Sequence, residues 1–351
     1  MTYKLAREKL GEWLLKISEG KRLIAPTRDN QGRLAFAQVT DPAQVVNEPG
    51  IVPEGLKRWF YPPSEEMFRY TGAGPRVRVY ERPEDELEQV LFGARPCDAA
   101  ALDYSVRFWE CDEGDPYYAN KRAKTLVVAL NCETAEAECF CESISCALTN
   151  PRGMDLLVTP LSDKEYLVES LSEKGEAVLE ATKDLMDAAE AEAVEARQAL
   201  AEKVRQQQKR QMPAEGITEA IQGVFKDEAF WRKHTAACIG CGVCTFLCPT
   251  CTCFDVMDDA VGGTGFRYRC WDTCQFRQFC EEASGHDRRA QQWQRQRQRV
   301  AHKLWYSVDR FQELTCVGCG RCIRQCPVNI DICEIASDAA AASKPEEVQQ
   351  S

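Results

Sequence analysis

The chain has 351 residues, 20 cysteines and a formal charge of −11, enough length for two domains with proper cores. The acidic balance excludes general nucleic-acid binding, which needs a basic footprint, and no stretch approaches the ~20 apolar residues that span a bilayer. The opening MTYKLAREKLGEWLLKI mixes Lys4, Arg7, Glu8 and Lys9 among its apolar residues and lacks the apolar core of a secretory leader. A cytoplasmic protein is therefore expected, in which clustered cysteines are metal ligands rather than disulfides.

That opening stretch predicts an amphipathic helix, with Leu5, Leu10, Trp13, Leu14 and Ile17 on one broad face. Residues 22–40 predict two short strands around the turn at Asn30, Gln31 and Gly32. The Pro-containing run IVPEGLKRWFYPPSEEMFRYTG after them predicts irregular structure, its Trp59, Phe60, Tyr61, Phe68 and Tyr70 packing in the core or between domains. From about residue 89 the pattern is α/β. QVLFGARP reads as a buried strand, Asp98 as the cap of a helix through AAALDYSVRFW, and TLVVALN as a second buried strand, with DLLVTPL and YLVESL as further ones. Strand, helix, strand predicts a parallel pair covered on both faces.

Cys97 and Cys132 then stand just beyond the C-terminal ends of two strands, the edge on which open α/β sheets build sites. Cys139 and Cys141 follow in ECFCES, and Cys146 comes five residues later. Cys97 lies at a helix N-terminus whose dipole favours thiolate. These thiols could hold a third metal centre; the alternative is that some are buried, inert cysteines. Residues 171–213, rich in Ala, Glu, Lys and Gln, predict a solvated helix or helical pair. It links an α/β domain at 1–170 to a mostly helical, two-cluster ferredoxin-like domain at 214–335. A tail at 336–351 is expected to be disordered.

The second domain carries the strongest signal. CIGCGVCTFLCP, with Cys238, Cys241, Cys244 and Cys248, and CVGCGRCIRQCP, with Cys316, Cys319, Cys322 and Cys326, both read C-x2-C-x2-C-x3-C-P. That is the ligand spacing of a 4Fe-4S cube, and in compact two-cluster proteins the last cysteine of each run serves the other cube. Cys238, Cys241, Cys244 and Cys326 are thus assigned to one cluster, and Cys316, Cys319, Cys322 and Cys248 to the other. Zinc normally takes two well-separated cysteine pairs and fits this spacing poorly.

The insert between the runs supplies Cys251, Cys253 and Cys274, which could pack around the cubes, lend a ligand to the third centre or form another metal site. Cys270 and Cys280 lie there too. The basic helix DRRAQQWQRQRQRVAHKLWY is read as a cover that offsets the clusters' negative charge. Where the first run carries apolar side chains the second carries Arg321 and Arg324, so the cube dominated by the second run is expected to have the higher potential.

Taken together, FGARPCDAAAL, VALNC, CFC, CPTCTCFDV, WDTCQF, SGHDRR and the paired runs, spread over most of residues 20–335, resemble a known family. It comprises the iron-sulfur subunits of anaerobic sulfite reductase, the beta subunits of NAD(P)-linked sulfhydrogenases and related subunits that serve heterodisulfide reductase. The resemblance implies an electron conduit beside a separate flavin subunit that handles NAD(P)H, and it adds weight to Cys97, Cys132, Cys139 and Cys141, which lie inside its motifs. The expectation is a non-catalytic electron-transfer subunit with two 4Fe-4S clusters and room for a third. Its partners would be a flavin/NAD(P)H subunit together with a catalytic hydrogenase, sulfite reductase or heterodisulfide reductase subunit. The alternative is a self-contained sulfur or sulfite reductase whose N-terminal cluster is the active site.

Overall fold

The computed structural model describes residues 1–48, 50–82 and 87–343. Its strands, in chain order, are β1 (Thr2–Ala6), β2 (Arg22–Arg28), β3 (Leu34–Val39), β4 (Ser64–Thr71), β5 (Arg78–Glu81), β6 (Gln89–Ala94), β7 (Thr125–Leu130), β8 (Leu156–Pro160), β9 (Glu165–Ser170), β10 (Asp187–Ala188), β11 (Phe254–Val261) and β12 (Thr264–Trp271). They form two sheets, ordered β10-β1-β9-β8-β7-β6-β2-β3 and β11-β12-β4-β5.

In the larger sheet β2, β6, β7 and β8 run parallel. Every residue of β6 (QVLFGA) and β7 (TLVVAL) is buried, because a parallel sheet covered on both faces needs continuous apolar strands. One face packs on Trp13 and Leu14 of the helix Leu10–Ile17 and on Leu179 of the helix Glu173–Thr182. The other packs on Phe60, Tyr61, Trp109 and Tyr118.

Three expectations are corrected or refined here. Residues 2–6 form a strand, not a helix turn, and Leu5 is buried on it: β1 pairs antiparallel with β9, and that ladder overrides the helical spacing. Asp98 caps the helix Pro96–Trp109 from its third position rather than from the residue before it: Arg95 holds the N-cap place, and the Asp98 carboxylate accepts from the Arg95 backbone N–H at 3.3 Å in a capping box. The segment 171–213 is a helical pair as expected, Glu173–Thr182 and Ala191–Gln207, but not a bare linker, since between the helices β10 adds to β1. The first sheet therefore reaches past residue 170.

The smaller sheet joins parts of the chain that sequence keeps far apart. The run expected to be irregular holds a short helix, Lys57–Phe60, and β4, which pairs with β12 from the insert between the cysteine runs. At their centre Arg269 is 2% exposed and donates to Glu65 of β4 at 2.9 and 2.6 Å. It also pairs with Asp115, while Lys121 pairs with Glu65. All of β11 is exposed, so ladder hydrogen bonds rather than burial hold that edge.

Helices Ile217–Val224, Glu228–Thr235, Gln292–Ala301 and Ile332–Ala342 pack around Trp231, Val300, Leu304 and Ile335. The last of these helices corrects the expected disordered tail. Asp331 caps it, and Ala336 and Ala339 are buried at helical spacing; residues 344–351 lie outside the described residues. Among the described residues no helix is long and apolar enough to cross a membrane.

Candidate metal centres

Three cavities of about 20 Å³ each are ringed by thiols. The outer cage is lined by Cys238, Cys241, Cys244 and Cys326, the middle one by Cys316, Cys319, Cys322 and Cys248. The crossed grouping arises because each run coils around its first two cysteines and carries the third in a short helix, Val243–Phe246 or Arg321–Arg324, beyond which the fourth follows. The fourth cysteine is thereby carried toward the neighbouring cavity. The amino-terminal cage is lined by Cys97, Cys132, Cys139 and Cys141. Cys97 comes from the start of the helix after β6, Cys132 from the end of β7, and the other two from the loop beyond. Cys146, in contrast, is exposed and lines none of the three.

The cages form a row through shared walls. Cys319 lines both the amino-terminal and middle cavities, and Cys322 and Arg299 line both the middle and outer ones. Contact between the two units is close at the first junction. Gly318 and Gly320 have φ of +65° and +73°, and a Cβ on them would meet backbone of Cys141 and Glu138, respectively, at 2.5 Å. Only glycine permits that approach. The Phe140 N–H then donates to the Gly318 carbonyl at 2.9 Å.

The donor chemistry fits iron-sulfur cubes. Burial pushes Cys139 up to about 11 and Cys316 and Cys322 up to about 12, so thiolates there need the offsetting positive charge of a metal centre. Amide donors already face sulfur: Gln292 and Gln296 donate to Cys238 Sγ at 3.3 and 3.2 Å, Gln208 to Cys141 Sγ at 3.1 Å and the Ile330 N–H to Cys326 Sγ at 3.2 Å. Among the described residues no three His, Cys, Asp or Glu side chains converge on a single ion.

Arg321 and Arg324 play another part than the spacing suggested. Arg321 is fully buried, pairs with Asp98 at 2.7 Å and donates to the Val52 carbonyl at 2.9 Å. Arg324 pairs with Glu136 and Glu138. Each staples the cluster unit to the sheet unit through carboxylates, while Arg321 also acts on Cys319 and Cys97 and Arg324 on Cys139. Arg95 lines the amino-terminal cage beside Cys132, and among the described residues the cations lining the middle and outer cages are Arg299 and Lys303. Among the described residues neither has a carboxylate within ion-pairing distance. Arg299 acts most strongly on Cys244, Cys322, Cys251 and Cys248, and Lys303 donates to Thr250 Oγ1 at 2.8 Å, which lies 3.3 Å from Cys248 Sγ. Sequence reading passed over these as site residues, although Gln292, Gln296, Arg299 and Lys303 recur at spacings that share one helix face.

Cys251, Cys253 and Cys274 meet around a fourth and larger cavity, with Arg289, Arg299, His302 and Lys303. Cys333 is buried among apolar neighbours, Cys111 accepts from Arg310 at 3.2 Å and Cys280 from Arg289 at 3.2 Å.

Residues 237–330 match the 4Fe-4S dicluster domain. Over 330 residues, 93% of this chain and 95% of the relative, the sequence is 29% identical to "Sulfhydrogenase 2 subunit beta" of Pyrococcus furiosus. A serine palmitoyltransferase from S. paucimobilis aligns over 63% of this chain and 57% of its own at 12% identity and a TM-score of 0.19, which carries no argument. The chain thus resembles, along nearly its whole length, the iron-sulfur subunit family of the sulfhydrogenase beta subunits, and it contains a 4Fe-4S dicluster domain at residues 237–330.

Proposed function

We propose that this chain is an electron-transfer subunit of a multi-subunit redox complex. In this reading a flavin/NAD(P)H-binding subunit lies at one end and a catalytic subunit, hydrogenase, sulfite reductase or heterodisulfide reductase, at the other. The observation that carries it is the row: three four-cysteine cages joined through the shared lining residues Cys319 and Cys322. Bound cubes would supply one-electron chemistry. The chain's own residues hold them by the twelve named thiols, shelter the amino-terminal one beneath the unit interface, and direct amide N–H groups and the Arg299 and Lys303 charges at the sulfurs.

The outer cage has the character of a docking end. Cys241 is exposed, and beside it Ile239 is 67% exposed, an apolar side chain suited to a partner's surface. The similarity to a protein named as a hydrogenase subunit supports the assignment to a complex.

Anaerobic iron and sulfide analysis with electron paramagnetic resonance tests the reading. About twelve irons per chain are expected, four per cube, reducible by a dithionite-type donor without turnover of sulfite or sulfur by the chain alone. Turnover by the isolated chain would replace the relay with a self-contained reductase.

A further inference from the structure

The fourth cavity is built differently from the cages. Its volume is about 190 Å³, and part of its wall is the thiols of Cys251, Cys253 and Cys274. The β11–β12 hairpin brings the last two together. Phe254 pairs with Trp271 and the Asp272 N–H donates to the Cys253 carbonyl at 3.1 Å, so Cys253 and Cys274 leave neighbouring strand ends. Both thiols line this one cavity.

The facing wall is cationic. Arg289, Arg299 and Lys303 line it, His302 stands exposed at its rim, and no carboxylate is among the described lining residues. Arg299 is 3% exposed and its Nε has no hydrogen-bond partner. Arg299 also lines the middle and outer cages, and a buried guanidinium with an unused donor is matched to an anion.

We propose that Cys253 and Cys274 form a redox-active dithiol that exchanges with a small anionic disulfide admitted to this cavity. Cys253 is the more accessible of the two and Cys274, 8% exposed, stands behind it. The Cys253 thiolate attacks one sulfur of the disulfide RS–SR, forming Cys253–S–S–R and releasing RS⁻. Cys274 then attacks the Cys253 sulfur, forming the Cys253–Cys274 disulfide and releasing the second RS⁻. The two thiol protons leave with the two RS groups as 2 RSH, and two electrons pass from the protein dithiol to the bound disulfide. The inference goes beyond the relay reading and does not rest on it.

The test uses the anaerobic, iron-loaded full chain with dithiodiglycolate as the anionic probe and cystamine as its cationic counterpart. Free thiols are then alkylated, the chain digested and its peptides weighed. The expected result is a Cys253–Cys274 cross-link, reversed by dithiothreitol, with iron per chain unchanged and formation about tenfold or more faster with dithiodiglycolate than with cystamine. In Cys274→Ser the cross-link is replaced by Cys253 carrying one thioglycolate. Absence of the cross-link in the wild-type chain would overturn the proposal, as would equal rates with the two probes. A cross-link that forms only as iron is lost would also overturn it, because these thiols would then be metal ligands. An iron count below about twelve with the cross-link intact would count against the relay alone.

Discussion

The two ends of the row of cages differ in what surrounds their sulfur. At the amino-terminal end Cys97, Cys139 and Cys141 are buried beneath an interface closed by Gly318, Gly320 and the Arg321–Asp98 pair. At the outer end none of the four thiols is buried, Cys241 is exposed, and glutamines and Arg299 face the cavity. One end is closed by two units pressed together, whereas the other is made within one domain, by the first run together with Cys326 of the second. Changes at the first should therefore act on assembly and stability, and changes at the second on potential.

The largest effect is expected from Cys97→Ala. It should lower iron by about four per chain, removing the amino-terminal signal and leaving those of the other two cages, while Cys146→Ser, at an exposed thiol, leaves iron content unchanged. Equal iron in Cys97→Ala and the parent chain would erase the distinction between the ends. Arg321→Met comes next. It strands Asp98 as a buried, unpaired carboxylate, a change worth about 3–5 kcal/mol, read as a lowered midpoint of chemical unfolding. Arg232→Ala, which removes an exposed pair with Glu228, should stay within about 1 kcal/mol.

Smaller effects separate the ends by potential. Arg299→Gln removes a positive charge that favours the reduced, more negative cluster. Redox titration should find the middle and outer potentials lowered by about 90 mV, the equivalent of ~2 kcal/mol for a charge roughly 8 Å away at an effective dielectric near 20. Arg324→Gln should move them much less, since Glu136 and Glu138 already balance that arginine. The smallest shift is expected from Gln296→Leu. Losing one N–H donor to Cys238 Sγ destabilises the reduced form and should lower the outer potential alone, by less than Arg299→Gln does. A comparable shift at the amino-terminal end would show that the cages do not titrate as separate sites.

Much of the larger sheet was legible because its strands are continuous apolar runs, as in QVLFGA and TLVVAL, and a buried parallel strand has little other choice. The smaller sheet was not. β4 (SEEMFRYT) and β11 (FDVMDDAV) carry charges along their length; β4 finds its neighbour β12 in a distant part of the chain, and β11 is held as the outer arm of the hairpin that β12 completes. Arg269 in FRYRCW gives no local sign that Glu65 and Asp115 will surround it. Likewise the basic helix shows the spacing of Gln292, Gln296, Arg299 and Lys303 but not that this face turns inward onto the thiols.

Sequence by itself determined the grouping of the first three thiols of each run, since ligands three positions apart are tied by the short backbone between them and close on one small object. It also marked Cys97, Cys132, Cys139 and Cys141 as candidates through their place at strand ends. Only the tertiary structure decided that these four meet around one cavity, that Cys319 stands between them and the middle cage, and that Arg321 and Arg324 pair with carboxylates. Those are contacts between residues far apart in the chain. They are chosen by which faces can be buried together and which buried charges can be paired, and local spacing does not encode either.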